Sequence, residues 1–472
     1  MTPRSFHLIG IAGTGMGAFA GLLKQAGYDV RGSDENVYPP MSDKLADWGI
    51  EVRTPYAPEN LDPSVDLVVV GNVVRKVNVE ATAMRERGLL HASFPETLGE
   101  LFLARRHSVV VAGTHGKTTT STLIAHTLLR AGRDPGFLVG GIPQGLGESF
   151  RVGGTAASCP FVVEGDEYDT AYFDKGPKFL HYRPRSLLAT SLEFDHADIY
   201  QDVSQIQARF TQVFALVPSD GHIVCYRGDP ALDEALARAG AKARVQTYGD
   251  DDAHWTLEEL SEDASGLRFV VREQKAPVGA LRVPLSGQHN ARNALGAYAI
   301  LRGLGLSHDE IAAGYASFGG VKRRMEVVGE ADGVLVVDDF AHHPTAVATT
   351  LAGAKERYRG RPLWALFEPR SATSCRKVFQ GAYASAFDAA DRVLLAPTGR
   401  SLAADEALDT ARLAHDVTAR GIPAHALGSV DALVDVAMQE APPGAVLLCM
   451  SNGAFGGIHR KLLDALASRG AK

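Results

Sequence analysis

Six residues, Gly113-Thr114-His115-Gly116-Lys117-Thr118, combine a glycine turn with a cation and two hydroxyls. They follow the apolar run Ser108-Val109-Val110-Val111 and open a stretch of helical periodicity that reaches Arg130 and closes at Gly132. A strand that feeds a glycine turn and a helix N-terminus aims backbone N–H groups at one anion, which suits phosphate. Lys117 would balance charge on the β and γ phosphates, and the Thr118 hydroxyl would ligate Mg²⁺. Val111 occupies the place of the first glycine in G-x-x-x-x-G-K-[ST], so the match is incomplete. A plain glycine turn with a solvated lysine would not need strand, turn, lysine and hydroxyl to coincide.

Two acid-bearing runs could complete such a centre. Phe161-Val162-Val163 ends in Glu164-Gly165-Asp166-Glu167, and Ser186-Leu187-Leu188-Ala189 leads to Glu193-Phe194-Asp195-His196-Ala197-Asp198. Acid at the C-terminal end of a parallel strand lies where open α/β sheets bind ligands, and hard oxygens suit Mg²⁺. Alone, each cluster reads as a solvated loop. Their force comes from sharing one sheet edge with the lysine loop.

A second glycine loop, Gly10-Ile11-Ala12-Gly13-Thr14-Gly15-Met16-Gly17-Ala18, follows the strand-like Phe6-His7-Leu8-Ile9. Gly13, Gly15 and Ala18 satisfy G-x-G-x-x-A, and Ser33-Asp34 follows at the interval of a ribose-binding acid. Taken literally this is a dinucleotide fingerprint, and an NAD(P)-dependent oxidoreductase is one reading. The motif itself specifies only a pyrophosphate-sized anion, which UDP-sugars also carry. Gly287-Gln288-His289-Asn290-Ala291-Arg292-Asn293, Arg323-Arg324 and Asp338-Asp339-Phe340-Ala341-His342-His343 are ambiguous in isolation. Adjacent histidines rarely aim at one ion, so a metal reading of the His342-His343 pair is poor.

Strand, turn and helix recur a third time in Val334–Val337, Asp338–His343 and Pro344–Arg357. Alternating strands and helices imply parallel sheets joined by right-handed crossovers. A chain of 472 residues exceeds one ordinary core. The expected division is 1–104, 105–319 and 320–472, with further strands at Leu363–Phe367, Arg392–Leu395 and Val446–Met450. A net charge of −7 argues against neutralising a nucleic-acid backbone. Cys159, Cys225, Cys375 and Cys449 form no C-x-x-C pair, which fits a reducing compartment. No apolar run approaches the roughly 18 residues of a membrane span, so a soluble, cytoplasmic protein without membrane insertion is expected.

Taken in order along the chain, these motifs resemble the Mur ligase family. The family's phosphate loop has the short form found here, which accounts for Val111. The resemblance implies an α/β protein of three domains: an N-terminal Rossmann-like UDP-binding domain, a central P-loop ATPase-like domain and a C-terminal Rossmann-like domain for the incoming amine. Asn36–Ser42, Glu167–Lys175, Phe367-Glu368-Pro369-Arg370-Ser371 and Ser451–His459 look like the branch that adds L-alanyl-γ-D-glutamyl-meso-diaminopimelate to free UDP-N-acetylmuramate. The alternative is the L-alanine-adding branch, and a non-catalytic UDP-sugar sensor is more remote.

By resemblance, ATP falls to Gly113, Thr114, His115, Gly116, Lys117, Thr118 and Thr119, with Asn290 and Asn293 toward adenine. Arg324 would face the γ-phosphate and Asp339 the ribose, with His342 beside them. Lys117, Glu164 and His196 would be catalytic, and Thr118, Glu164 and His196 would hold Mg²⁺. Gly13, Thr14, Gly15, Ser33 and Asp34 would face the UDP-sugar, and Arg370, Ser451 and Asn452 the peptide. The implied reaction consumes ATP through an acyl phosphate, as a step of cell-wall recycling. Several family members carry a carbamoylated lysine that bridges two Mg²⁺ ions. No lysine occurs here between Lys178 and Lys242, so no carbamate is expected.

Overall fold

The computed structural model describes residues 3–195, 199–249, 252–263, 265–400, 402–403 and 405–470; His196 lies outside the described residues. Three sheets with parallel centres organise the chain. The first is wholly parallel, in the spatial order 51–53, 29–33, 5–9, 67–70, 91–93. Ile9, Ser33 and Val70 therefore end at one edge, directly before the first glycine loop.

The second sheet has ten strands. Its centre runs 222–227, 186–189, 107–112, 160–165, 136–138, all parallel. These central strands read as continuous apolar runs because both faces are covered. Val109, Val111 and Val162 pack toward the helices Lys117–Arg130 and Gln288–Gly303, while Val110, Ala112 and Val163 face the opposite core. Antiparallel strands extend this sheet at its margins. The hairpin strands Trp255–Asp263, Gly266–Glu273 and Ala276–Val283 pair antiparallel, as does Phe150–Arg151 against Gly136–Leu138. Short turns such as Glu273–Ala276 permit this, since only parallel neighbours require a long crossover.

The third sheet orders 326–331, 334–339, 446–450, 363–367, 392–395, 424–426, with only its first strand antiparallel. The strand Val334–Asp339 includes Asp338 and Asp339, which the sequence pattern assigned to the following turn. At the hinge, Gln144 N–H donates to Gly320 O at 3.0 Å and Lys322 N–H to Ile142 O at 3.0 Å. The first and second sheets meet through Trp48 against Phe150, with ring centres 5.0 Å apart, and through Val152 N–H on Gln25 Oε1 at 2.7 Å. Among the described residues no helix is long and apolar enough to cross a membrane.

Candidate active site

Parallel register puts Ala112, Gly165 and Ala189 level, so the loops that follow all open on one edge of the central sheet. Backbone geometry explains the glycines of the lysine loop. Gly113 has φ +142° and Gly116 has φ +82°, conformations that side chains rarely adopt. A Cβ on Gly113 would stand 2.0 Å from Thr190 Oγ1, and one on Gly116 would stand 2.5 Å from Asn293 Oδ1. The loop is bound to its neighbour by Thr114 N–H on Ser191 O (3.0 Å), His115 N–H on Ser191 Oγ (2.9 Å) and Thr190 Oγ1 on His115 O (2.6 Å). It is held before any anion arrives.

Lys117 Nζ donates to Gly113 O at 2.6 Å and to Glu167 Oε2 at 2.8 Å. Burial alone would lower the lysine pKa, but the Glu167 carboxylate, then Asp166, outweigh it and hold the ammonium raised. Glu167 is almost fully buried, and its Oε1 has no hydrogen-bond partner among the described residues. An unpaired buried acceptor of this kind costs free energy. Thr118 Oγ1 donates to Glu164 Oε2 at 3.1 Å, while Glu164 Oε1 accepts from Gly140 N–H at 2.5 Å and Ser121 Oγ at 3.3 Å. Burial, then Asp166, push the Glu164 pKa up. A cation there would reverse that push. Thr118 and Glu164 are hard oxygen ligands within reach of one ion, which is the donor chemistry magnesium requires.

Across the hinge, Arg324 reaches Thr118 Oγ1 with Nη2 at 3.4 Å and lies over the Phe340 ring, 5.0 Å from its centre. Asn293 covers Gly116 and donates to Asn290 Oδ1 at 3.2 Å; Asn290 Nδ2 in turn donates to Ser286 O at 2.8 Å. Asp339 accepts from Met325 N–H and Ala341 N–H, each at 2.8 Å, so both its oxygens hold the hinge backbone. His342 Nδ1 lies 3.0 Å from Phe340 O, and burial lowers its pKa to about 4, which keeps the ring neutral. Lys117, Thr118, Glu164, Asn293 and Arg324 are thus gathered around one loop.

The UDP-sugar candidates form a separate edge. Asp34 Oδ2 accepts from Ala12 N–H at 2.9 Å and Oδ1 from Glu35 N–H at 2.8 Å, so the acid braces the glycine loop. Gly13 precedes the helix Thr14–Gln25, and a Cβ on Gly15 would meet nothing within 4 Å. The Ser33 side chain is completely buried between His7 and Glu80, to which its hydroxyl donates. It faces the interior of its domain, while its carbonyl receives Gly10 N–H at 2.8 Å.

The peptide candidates stand on adjacent strand ends, at Phe367 and Met450. Ser451 Oγ donates to Glu368 Oε2 at 2.5 Å, and Arg370 Nη1 lies 3.4 Å from Glu368 Oε1. Arg370 passes so close to Gly453 that a Cβ there would fall 2.1 Å from Arg370 Cδ. Its side chain is 47% exposed against 8% for Glu368. Asn452 Oδ1 is buried without a hydrogen-bond partner among the described residues.

The chain is 40% identical over 464 residues to the UDP-N-acetylmuramate–L-alanyl-γ-D-glutamyl-meso-2,6-diaminoheptandioate ligase of Escherichia coli, covering 98% of each. This chain belongs to the Mur ligase family. Residues 5–106 match the pattern described as Mur ligase family, catalytic domain, residues 111–301 the Mur ligase middle domain, and residues 323–453 the Mur ligase, glutamate ligase domain. A crystal structure of a murein peptide ligase from Psychrobacter arcticus aligns with a TM-score of 0.74 at 37% identity, over 98% of both chains. The UDP-N-acetylmuramate–L-alanine ligase of an Anaeromyxobacter strain is 34% identical over 468 residues, again 98% of each.

Several residues that shape this Mur ligase site were not singled out by spacing. Glu167 was visible as the third acid of its run, three residues beyond Glu164, but nothing local shows that it meets Lys117. Gly140, Ser121 and Thr190 carry no motif and act by where the sheet places them. Glu193 accepts from Thr345 Oγ1 of the third domain at 2.6 Å. Burial works against its ionisation, but His115, Thr345 and His343 hold its carboxyl pKa down at about 2.

Proposed function

We propose that this Mur ligase joins L-alanyl-γ-D-glutamyl-meso-diaminopimelate to UDP-N-acetylmuramate at the expense of ATP, as a step of peptidoglycan recycling. Full-length likeness to ligases named for that peptide supports the substrate assignment. The geometry that carries the reading is the meeting of Lys117, Thr118 and Glu164 with Arg324 from across the hinge. We divide the chain at 104/105 and 319/320. The three parts would take the UDP-sugar, ATP and the amine.

The chemistry follows from the groups at the loop. A carboxylate resists attack by an amine until phosphorylation converts it to an acyl phosphate. The first-turn N–H groups of the helix Lys117–Arg130 have no acceptor within the helix and so await the phosphates. Lys117 exchanges Glu167 for phosphate oxygens, and Arg324 adds a second cation from the third domain, where charge builds in the transition state. Thr118 and Glu164, with His196, would hold Mg²⁺, which when bound supplies further neutralisation of phosphate charge. Asn293, Asn290, Asp339 and His342 line the approach for the nucleoside. Gly13, Thr14, Gly15 and the Asp34-braced loop receive the UDP diphosphate, while Ser33 serves through its backbone. Arg370, with Glu368 and Ser451 behind it, binds a peptide carboxylate.

The test is phosphate release from ATP with UDP-N-acetylmuramate and each amine in turn. Tripeptide should support turnover far better than free L-alanine. Preference for alanine would transfer the chain to the alanine-adding branch.

A further inference from the structure

His115, Glu193 and His343 converge from three segments that share no motif: the lysine loop, the loop after Ser186–Ala189, and the residue capping the helix Pro344–Arg357. His115 Nε2 lies 3.5 Å from Glu193 Oε2, and His343 Nδ1 lies 3.7 Å from the same oxygen. The two imidazole rings are 5.0 Å apart. We propose that these three side chains form a second cation site, chemically distinct from the Thr118–Glu164 corner, that takes an imidazole-preferring divalent transition metal such as Zn²⁺.

The spacing suits tetrahedral coordination. Ligand atoms bound at about 2.0–2.2 Å to a tetrahedral ion sit roughly 3.4 Å from one another. The two separations from Glu193 Oε2 are within a few tenths of an ångström of that, and all three ligand atoms lie within 4.8 Å of one another. Surrounding groups orient the ligands as metal sites demand. His343 Nε2 is 3.2 Å from Phe194 O, so that nitrogen carries the proton and Nδ1 turns toward Glu193. Thr345 Oγ1 holds the Glu193 carboxylate at 2.6 Å. His115 Nε2 is buried and has no hydrogen-bond partner among the described residues.

Two features oppose a cation and set the size of the effect. Thr345 N–H points at His343 Nδ1 from 3.3 Å, a long bond that coordination would displace. The helix N-terminus also carries positive potential. Against these stand the Glu193 carboxylate and Asp195, both of which act electrostatically on His343. Magnesium is a poor candidate, since it prefers oxygen ligands in octahedral array. Because His343 belongs to the third sheet's domain and His115 and Glu193 to the second, a bound metal would staple the two across the hinge.

The experiment uses the full chain, stripped with a chelator and titrated with Co²⁺, whose visible absorption reports four-coordinate nitrogen and oxygen ligands. One equivalent should bind with intense visible bands and should survive millimolar Mg²⁺. His115→Ala and His343→Ala should each weaken it by at least about ten-fold, the lower range for lost metal support. Glu164→Gln should leave it in place, which separates this site from the magnesium corner. Cobalt binding unchanged within two-fold in the folded His115→Ala protein would overturn the proposal, as would loss of the bands in Glu164→Gln alone. His115 caps no helix, so its variant remains decisive if His343→Ala fails to fold. In either case the three residues are a hydrogen-bonded seam between domains and not a metal site.

Discussion

The two glycine loops have the same local plan and different endowments. Each leaves a buried parallel strand, turns on glycine and enters a helix, which is enough to receive an anion. Around Gly10–Gly17 the neighbouring strand supplies one acid, Asp34, and spends it on bracing Ala12 N–H. Around Gly113–Thr118 the neighbouring strands and the next domain supply Glu164, Glu167, Thr190 and Arg324. The first loop has its carboxylate tied to its own backbone. The second gathers a lysine, an arginine and two buried carboxylates. Binding is a property of strand, turn and helix; catalysis depends on what adjacent strands bring to the same edge.

The sharpest way to break this contrast is Lys117→Ala. Turnover should fall by about 10³-fold or more, the upper range for removing a preorganised transition-state donor, with UDP-N-acetylmuramate binding retained. Calorimetric titration of the variant beside its steady-state rate checks both halves, and a folded variant with parental turnover would end the assignment. Glu164→Gln comes next. The Mg²⁺ needed for half-maximal rate should rise by at least about ten-fold, read from magnesium titrations of the rate. Overlaid titrations would mean that the carboxylate holds no ion.

Arg370→Ala probes the third sheet and should weaken tripeptide binding by about 1.5–3 kcal/mol, the range for a hydrogen bond to a charged group. The KM for ATP should not move, and an unchanged tripeptide KM would reduce Arg370 to a surface partner of Glu368. Matched glycine substitutions then compare the loops directly. Gly116→Ala should cost about 1–3 kcal/mol in a denaturant melt, because its φ is +82° and Asn293 blocks the Cβ. Gly15→Ala, with open space around its Cβ, should keep its stability and raise only the KM for the UDP-sugar. Equal melts would refute the claim that the second loop is the more tightly built. The smallest effect is none: removing bicarbonate and CO₂ should leave the rate unchanged, and a rate that recovers on adding CO₂ would reveal a carbamate after all.

Much of this molecule was legible along the chain. The helices Lys117–Arg130 and Pro344–Arg357 and the strands Leu363–Phe367, Arg392–Leu395 and Val446–Met450 begin and end where periodicity and glycine or proline punctuation put them. Those signals depend on neighbours a few residues apart, which a sequence displays directly. The same holds for the glycine loops, whose backbone conformations are dictated within a handful of residues. Partner choice is different. That Lys117 rests on Glu167, 50 positions away, that Arg324 reaches Thr118 across 206, and that Ser33 turns inward to Glu80 follow from strand order and hinge closure. A carboxylate after an apolar run looks alike whether it braces its own loop, as Asp34 does, or takes a hydroxyl and a backbone N–H from two other segments, as Glu164 does. Only the neighbours brought up by the parallel sheet distinguish them, because burial and pairing, not residue type, determine what a charged group can do.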